Sequence, residues 1–114
     1  MQTIGKRGEG LCAEYLLSKG YHILSRNYRH KRSEIDLICQ HDELLVFVEV
    51  KSRTSVKFGY PESFVSEKQQ QAIIRAAEHY LYEEKWMGDI RFDVVAILFA
   101  NGETKIEHFK DAFY

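Results

Sequence analysis

A chain of 114 residues, 45% hydrophobic and 29% charged, has the size and balance of one globular domain with a core of its own. Its formal net charge of -1 argues against a globally basic nucleic-acid binder, and no apolar run approaches the ~20 residues of a membrane span. The opening MQTIGKRGEG lacks the apolar stretch of a secretory signal, so the cytoplasm is the expected compartment.

The charge is unevenly spread. Residues 1–60 carry ten Lys or Arg against seven Asp or Glu, whereas residues 61–114 carry six against ten. An anionic partner is therefore expected to meet the first half. Cys12 and Cys39 are too few and too far apart for a zinc motif or a disulfide framework. Both fall at apolar-patterned positions, as small core residues do.

Residues Gly5 to Lys19 predict a helix closed by Gly20 in the left-handed C′ position. Ile4, Leu11 and Tyr15 share one stripe with Cys12, Ala13 and Leu16 beside it. Glu9 aligns with Ala13 and Leu16 and projects toward the packed side. It reads either as a first-turn glutamate favoured by the helix dipole or as an acid lining a site. Tyr21 to Tyr28 predict a first strand, running into Arg26, Arg29, Lys31 and Arg32, interleaved with Tyr28 and His30. Such a run is ordinarily a solvated connector. Beside an acidic site it becomes a phosphate-gripping arm, with Tyr28 available to stack on a base.

Ser33 to Arg53, SEIDLICQHDELLVFVEVKSR, predict a hairpin. A tight turn at Asp42-Glu43 opposes Ile35, Leu37 and Cys39 to Val50, Val48 and Val46, giving one wholly apolar face. A one-residue slip would mix the faces. The same register sets Asp36 against Glu49 and Glu34 against Lys51, with opposed Cβ atoms about 4.5–5.5 Å apart.

Thr54 to Ser63, with Gly59 and the single proline Pro61, read as a loop. Ser66-Glu67-Lys68-Gln69 fits a capping box and predicts a helix to about Trp86, closed by Gly88. Its packed stripe is Ile73, Ala77, Tyr80 and Leu81. Lys68, in the first turn, opposes the helix dipole, which suits a phosphate contact. Arg91 to Phe99 predict a strand covered on both faces, parallel to Val46–Val50 because a helix intervenes. Asp93, at its start, can bond Arg91 or a backbone amide. A turn at Asn101-Gly102 leads to an edge strand from Lys105 to Phe109. The five histidines, His22, His30, His41, His79 and His108, show no ligand spacing, and Tyr82 and Trp86 read as packing or interface groups. The expected class is α/β, a mixed sheet with helices on its faces.

Two carboxylates facing one another across a hairpin raise the pKa of one unless a cation intervenes. Asp36 and Glu49 supply hard oxygen ligands, and the backbone carbonyl of Val50 stands in position to add a third. That set suits Mg2+. Lys51, on the same face as Glu49, can hold an attacking water or offset charge on a pentavalent phosphorus. The plainer alternative makes Glu49 and Lys51 a surface ion pair.

Asp36 with Glu49-Val50-Lys51, in a helix–three-strand–helix–strand frame, resembles the PD-(D/E)xK nuclease superfamily. Over nearly its whole length the chain is similar to the bacterial YraN-like group of uncharacterised proteins, itself similar to archaeal Holliday junction resolvases. The matching pieces are Gly8-Glu9 with Ala13 and Tyr15-Leu16, Gly20-Tyr21, Ile23-Leu24, Asn27-Tyr28-Arg29, Glu34-Ile35-Asp36-Leu37-Ile38 and Phe47-Val48-Glu49-Val50-Lys51 with Arg53. Gly59, Pro61, Lys68, Ala77, Tyr80-Leu81 and Arg91-Phe92-Asp93 complete them. Ser33 departs from the glycine usual before Glu-Ile-Asp.

The resemblance implies one restriction-endonuclease-like domain over residues 1–114, with an αβββαβ core, cleaving branched or junction DNA with Mg2+ or Mn2+. It implies that Asp36 and Glu49 hold the metal, that Lys51 is the catalytic lysine, and that Glu9 is the acid many members place on the first helix. The residues expected to grip nucleic acid are Arg26, Tyr28, Arg29, Lys31, Arg32, Arg53 and Lys68. Symmetric cutting of two strands would favour a homodimer. The alternatives are a nucleic-acid-binding module of this fold without efficient catalysis, and an interaction partner in a DNA-uptake or repair assembly.

Overall fold

A computed structural model describes residues 2–54 and 65–114, so the predicted loop with Gly59 and Pro61 lies outside the described residues apart from Thr54. Thr3 opens α1 (Ile4–Ser18), its hydroxyl accepting from the Lys6 N–H at 3.2 Å. Gly20 takes φ +89°, a conformation open to glycine, and the Tyr21 N–H returns to the Leu16 carbonyl at 3.0 Å. β1 (His22–His30), β2 (Ser33–His41) and β3 (Leu44–Arg53) follow as a meander. α2 (Glu67–Glu84), β4 (Asp89–Ala100) and β5 (Glu103–Phe109) complete the domain. The sheet runs β1-β2-β3-β4-β5 and is antiparallel except at β3–β4, which pair in parallel. This is the αβββαβ core expected from the sequence, extended by β5.

The hairpin register is the expected one, from His41–Leu44 through Cys39–Val46 to Leu37–Val48. Asp-Glu is an unusual pair for a two-residue loop, and Asp42 accommodates it by taking φ +56°. Asn101 and Gly102 both take positive φ, as predicted for the β4–β5 turn. α2 stops earlier than predicted. Lys85, rather than Gly88, supplies the left-handed cap at φ +53°, and the Trp86 N–H satisfies the Leu81 carbonyl at 3.1 Å.

The sheet divides the core into two layers. Cys12, Ala13 and Leu16 of α1 pack on Leu37, Cys39, Val46, Val48, Val95 and Ile97. Ile73, Ala76, Ala77 and Tyr80 of α2 pack on Ile38, Leu45, Phe47, Phe92, Val94 and Ala96. Each fully buried Leu, Ile, Val or Phe contributes about 1.5–3 kcal/mol, so these layers fix the faces of the central strands. Alternation along β3 then carries Glu49 and Lys51 to the α2 face and Val50 to the α1 face. β4, covered on both sides, needs the continuous apolar run that marked it. Among the described residues no helix is long and apolar enough to cross a membrane.

Ile35 departs from the expected face. Leu37 and Cys39 do join Val46 and Val48 in the α1 layer, but Ile35 packs in the α2 layer with Phe47 and Tyr80. The strand therefore changes face across Asp36, and the cause lies in the candidate site.

Candidate active site

Regular β2–β3 pairing ends at Leu37–Val48, one position short of the expected Asp36–Glu49 pair. There the Asp36 side chain takes over: its Oδ2 accepts the Val50 N–H at 2.8 Å. A carboxylate in place of a ladder carbonyl parts the strands and turns Ile35 to the other layer. β1 bends at the same level. Arg26–Leu37 and Tyr28–Ile35 pair normally, and Asn27 between them takes φ +54°. That value inside a strand is tolerated by Asn far better than by most residues. The Asn27 side chain lies beside Glu9, which α1 brings down on this edge.

Glu49 is 7% exposed, and the Asp36 carboxyl lies within hydrogen-bonding reach of it. Burial, reinforced by Asp36, pushes the Glu49 carboxyl up to about 8 against the opposing pull of Lys51. Lys51 Nζ stands 3.4 Å from Glu49 Oε2. It also donates to Gln69 Oε1 at 3.1 Å, and the Gln69 amide in turn donates to Glu49 Oε2. Glu9 is pushed up as well, first by burial and then by Asp36, while Lys6 lies 3.9 Å from it. The four predicted residues Glu9, Asp36, Glu49 and Lys51 thus converge on one end of the sheet, with Asp36 as the shared neighbour.

Gln69 and Asn27 belong to this site without having been singled out from the sequence as site residues. Gln69 read as the far member of a capping box. Its backbone N–H does bond Ser66 Oγ at 3.1 Å, but its side chain turns to Glu49 and Lys51 rather than back to the cap. Only the docking of the start of α2 beside β3 separates the two uses. Asn27 carried the weaker signal of a turn-favouring residue in a strand pattern.

The predicted basic contacts fall into separate groups. Arg26 lines a cavity of about 230 Å3 with Lys6, Glu9 and Asn27, at the acidic end. Lys31 and Arg32 line another of about 370 Å3 with His30, Ser33 and Arg75. Arg29 is paired to Glu34 across the β1–β2 register at 3.2 Å, so Glu34 faces Arg29 and not the expected Lys51. Tyr28 sets its ring edge-on to Tyr80 and donates its hydroxyl to Glu83 at 3.1 Å. Arg53 donates to the Ser52 carbonyl at 3.0 Å, and Lys68 is exposed in the first turn of α2.

Among the described residues no three His, Cys, Asp or Glu side chains gather into a metal cluster; the candidate centre rests on two carboxylates. The donor set nevertheless fits a hard divalent cation. Asp36 lies close enough to Glu49 to raise its carboxyl further, and a divalent ion between two such oxygen donors would relieve that repulsion.

The profile of the Uncharacterised protein family UPF0102 matches residues 8–97. A UPF0102 protein of Christiangramia forsetii is 43% identical over 111 residues, covering 97% of this chain and 93% of its own. One from Chlorobium limicola is 47% identical over 119 residues, covering 98% and 92%. A solved structure, Pyrococcus furiosus SfsA in complex with Ca2+, aligns with 92% of this chain and 63% of that one. Its 15% identity and TM-score of 0.40 make a likeness too loose to bear on function.

Proposed function

This chain belongs to the uncharacterised protein family UPF0102, and we propose that it is a metal-dependent endonuclease hydrolysing phosphodiester bonds in structured, branched or junction DNA. The observation that carries the proposal is Glu49, buried beside Asp36 with Lys51 at 3.4 Å. Burying carboxylates side by side is costly, and an ordinary surface ion pair would not incur that cost. Asp36 and Glu49, with the Val50 carbonyl, would hold Mg2+ or Mn2+. When bound, the ion supplies Lewis-acid stabilisation at the scissile phosphate. Lys51, held by Glu49 and Gln69, is placed to orient a water or offset charge on the phosphoryl oxygens. Glu9, beside Asn27, would close the site from α1.

The cavity of Lys31, Arg32 and Arg75 supports a backbone-gripping role for this arm. It equally serves the second reading, a nucleic-acid-binding module without efficient catalysis. A homodimer would present two such centres to the strands of a junction.

Calorimetry with Mn2+ and a nicking assay on branched, single-stranded and duplex DNA test the proposal together. Asp36→Asn and Lys51→Ala are expected to abolish Mn2+-dependent nicking, with a loss of at least about a hundredfold, while leaving DNA binding largely intact. Purified protein that nicks none of these substrates with either metal would end the enzymatic reading and leave the binding module.

A further inference from the structure

On the opposite face of the sheet from Glu49 lies a second polar centre that the acidic hairpin does not use. Asp93 pairs with Val48 in the β3–β4 register and so shares its α1-facing side. It is 0% exposed, yet fully engaged. Arg91 donates to it from Nε and Nη2, both at 2.8 Å, His108 Nε2 lies 2.7 Å from Oδ2, and the Asp111 N–H reaches Oδ1 at 3.0 Å. Burial pushes the Asp93 carboxyl up, but the bonds from His108, Arg91 and Asp111 outweigh it and hold the group below its ordinary value.

An ionised carboxylate only accepts, so His108 Nε2 carries the proton. In the neutral ring Nδ1 is then the acceptor for the Tyr15 hydroxyl, 3.0 Å away. Arg91 also donates to the Tyr21 hydroxyl at 2.9 Å, and the Tyr21 ring stacks on His41 at 4.4 Å. A buried ion pair is weak evidence for stability by itself. This one, however, orients the walls of an open cavity of about 280 Å3, lined by Tyr15, Lys19, Tyr21, His41, His108 and Lys110.

No carboxylate lines that cavity; Tyr15 and His108 spend their donors within the centre, which leaves the Lys19 and Lys110 ammonium groups, the Tyr21 hydroxyl and the His41 ring to face it. Arg91 already neutralises Asp93 beneath it. Among the described residues neither Lys19 nor Lys110 is ion-paired with a carboxylate. Asp42, beside His41 at 3.9 Å, is 91% exposed. We infer that this cavity is a second ligand site, which binds a phosphomonoester. A terminal phosphate carries close to two negative charges and three acceptor oxygens at neutral pH, which the Lys19 and Lys110 ammonium groups match, with the Tyr21 hydroxyl and the His41 ring beside them. A backbone phosphodiester, with one charge, matches them less well. The phosphate can come from a mononucleotide or from the 5′ end of a DNA strand.

Amide-resonance titration of the full chain distinguishes these sources, using deoxyadenosine monophosphate, a short 5′-phosphorylated oligonucleotide and its unphosphorylated twin. Phosphorylated probes are expected to shift the resonances of Tyr15, Lys19, His108 and Lys110. A response to the mononucleotide alone identifies a small-molecule ligand, and a response to the phosphorylated strand identifies a strand end. Lys19→Gln with Lys110→Gln changes only exposed side chains and should weaken binding about tenfold or more. Asp36→Asn, at the acidic end of the sheet, should leave this affinity unchanged, which separates the site from the acidic hairpin. No shift at these residues with either phosphorylated probe overturns the inference. So does an equal response there to the unphosphorylated twin, or an affinity unaltered in the double variant.

Discussion

Replacing Gly8 by alanine tests how α1 is held against the sheet. A Cβ at this position would lie 1.9 Å from Ser52 Oγ and 3.1 Å from Ser52 Cβ. In an exposed helix the same change stabilises by about 0.5–1 kcal/mol, because alanine loses less backbone freedom. Here overpacking costs about 1–3 kcal/mol, so the net expectation is a loss of up to about 2.5 kcal/mol. The partner atom permits a decisive control. Ser52 Oγ is buried and, among the described residues, without a hydrogen-bond partner, so removing it sacrifices no bond. Ser52→Gly also removes the Cβ and should restore room for the added methyl in the double variant. Urea unfolding of the wild type, both single variants and the double variant gives the coupling, expected to be favourable by about 1–3 kcal/mol. Gly8→Ala at or above wild-type stability, or singles that simply add, would refute the close approach. The consequence reaches the site, because Gly8 precedes Glu9 and Ser52 follows Lys51. Gly8→Ala should therefore weaken Mn2+ binding as well, even though alanine adds no charge.

The acidic centre also predicts a pH dependence. Glu49 is pushed up from its ordinary 4.5 to about 8, so the folded state binds this proton more tightly than the unfolded chain. Its contribution is full below pH 4.5 and is lost as pH rises through about 8, a decline on the order of a few kcal/mol without metal. Glu49→Gln should flatten that decline in urea titrations across the window; an unchanged slope would contradict the burial argument. Asp93 acts in the opposite sense, its contribution being lost as pH falls through its lowered value. On the basic arm, Lys31→Glu and Arg32→Glu should each lower the logarithmic salt slope of duplex binding by about 0.9 for every phosphate left without its cation. Arg29→Glu should lower it less, since Arg29 is already paired with Glu34. Equal effects at all three positions would show that this ion pair does not restrain Arg29.

The parts of the fold legible in the sequence were those where one periodicity admits one answer. β4 declared itself by an unbroken apolar run, and the hairpin register followed from the agreement of Leu37 and Cys39 with Val48 and Val46. The same rule failed at Ile35, because Asp36 competes with the backbone for the Val50 N–H and a side-chain bond of that kind leaves no mark on alternation. Asp36, Glu49 and Lys51 were readable together because charge on a half-buried strand is conspicuous, whereas Glu9, on α1, read two ways and joined them only through the family resemblance. Gln69 was not readable, since an amide three residues after a serine satisfies a local rule completely. The Asp93 centre was visible only to the extent of its bonds with Arg91 and a backbone amide, which Asp111 supplies. His108 and Tyr15 join it from elements distant in sequence, and no spacing joins them.

The double use of Gln69 makes the first turn of α2 part of the site. Its amide nitrogen completes the Ser66 cap while its side chain spans Glu49 and Lys51. Fraying of that turn would therefore release the lysine and the buried acid in the same event, without any group in the site having moved by itself. A helix terminus ordinarily opens and closes at little cost. In this protein such opening would set the fraction of time for which Glu49 and Lys51 are held together, so a change as remote from the chemistry as Ser66→Ala would act on the site through occupancy rather than geometry.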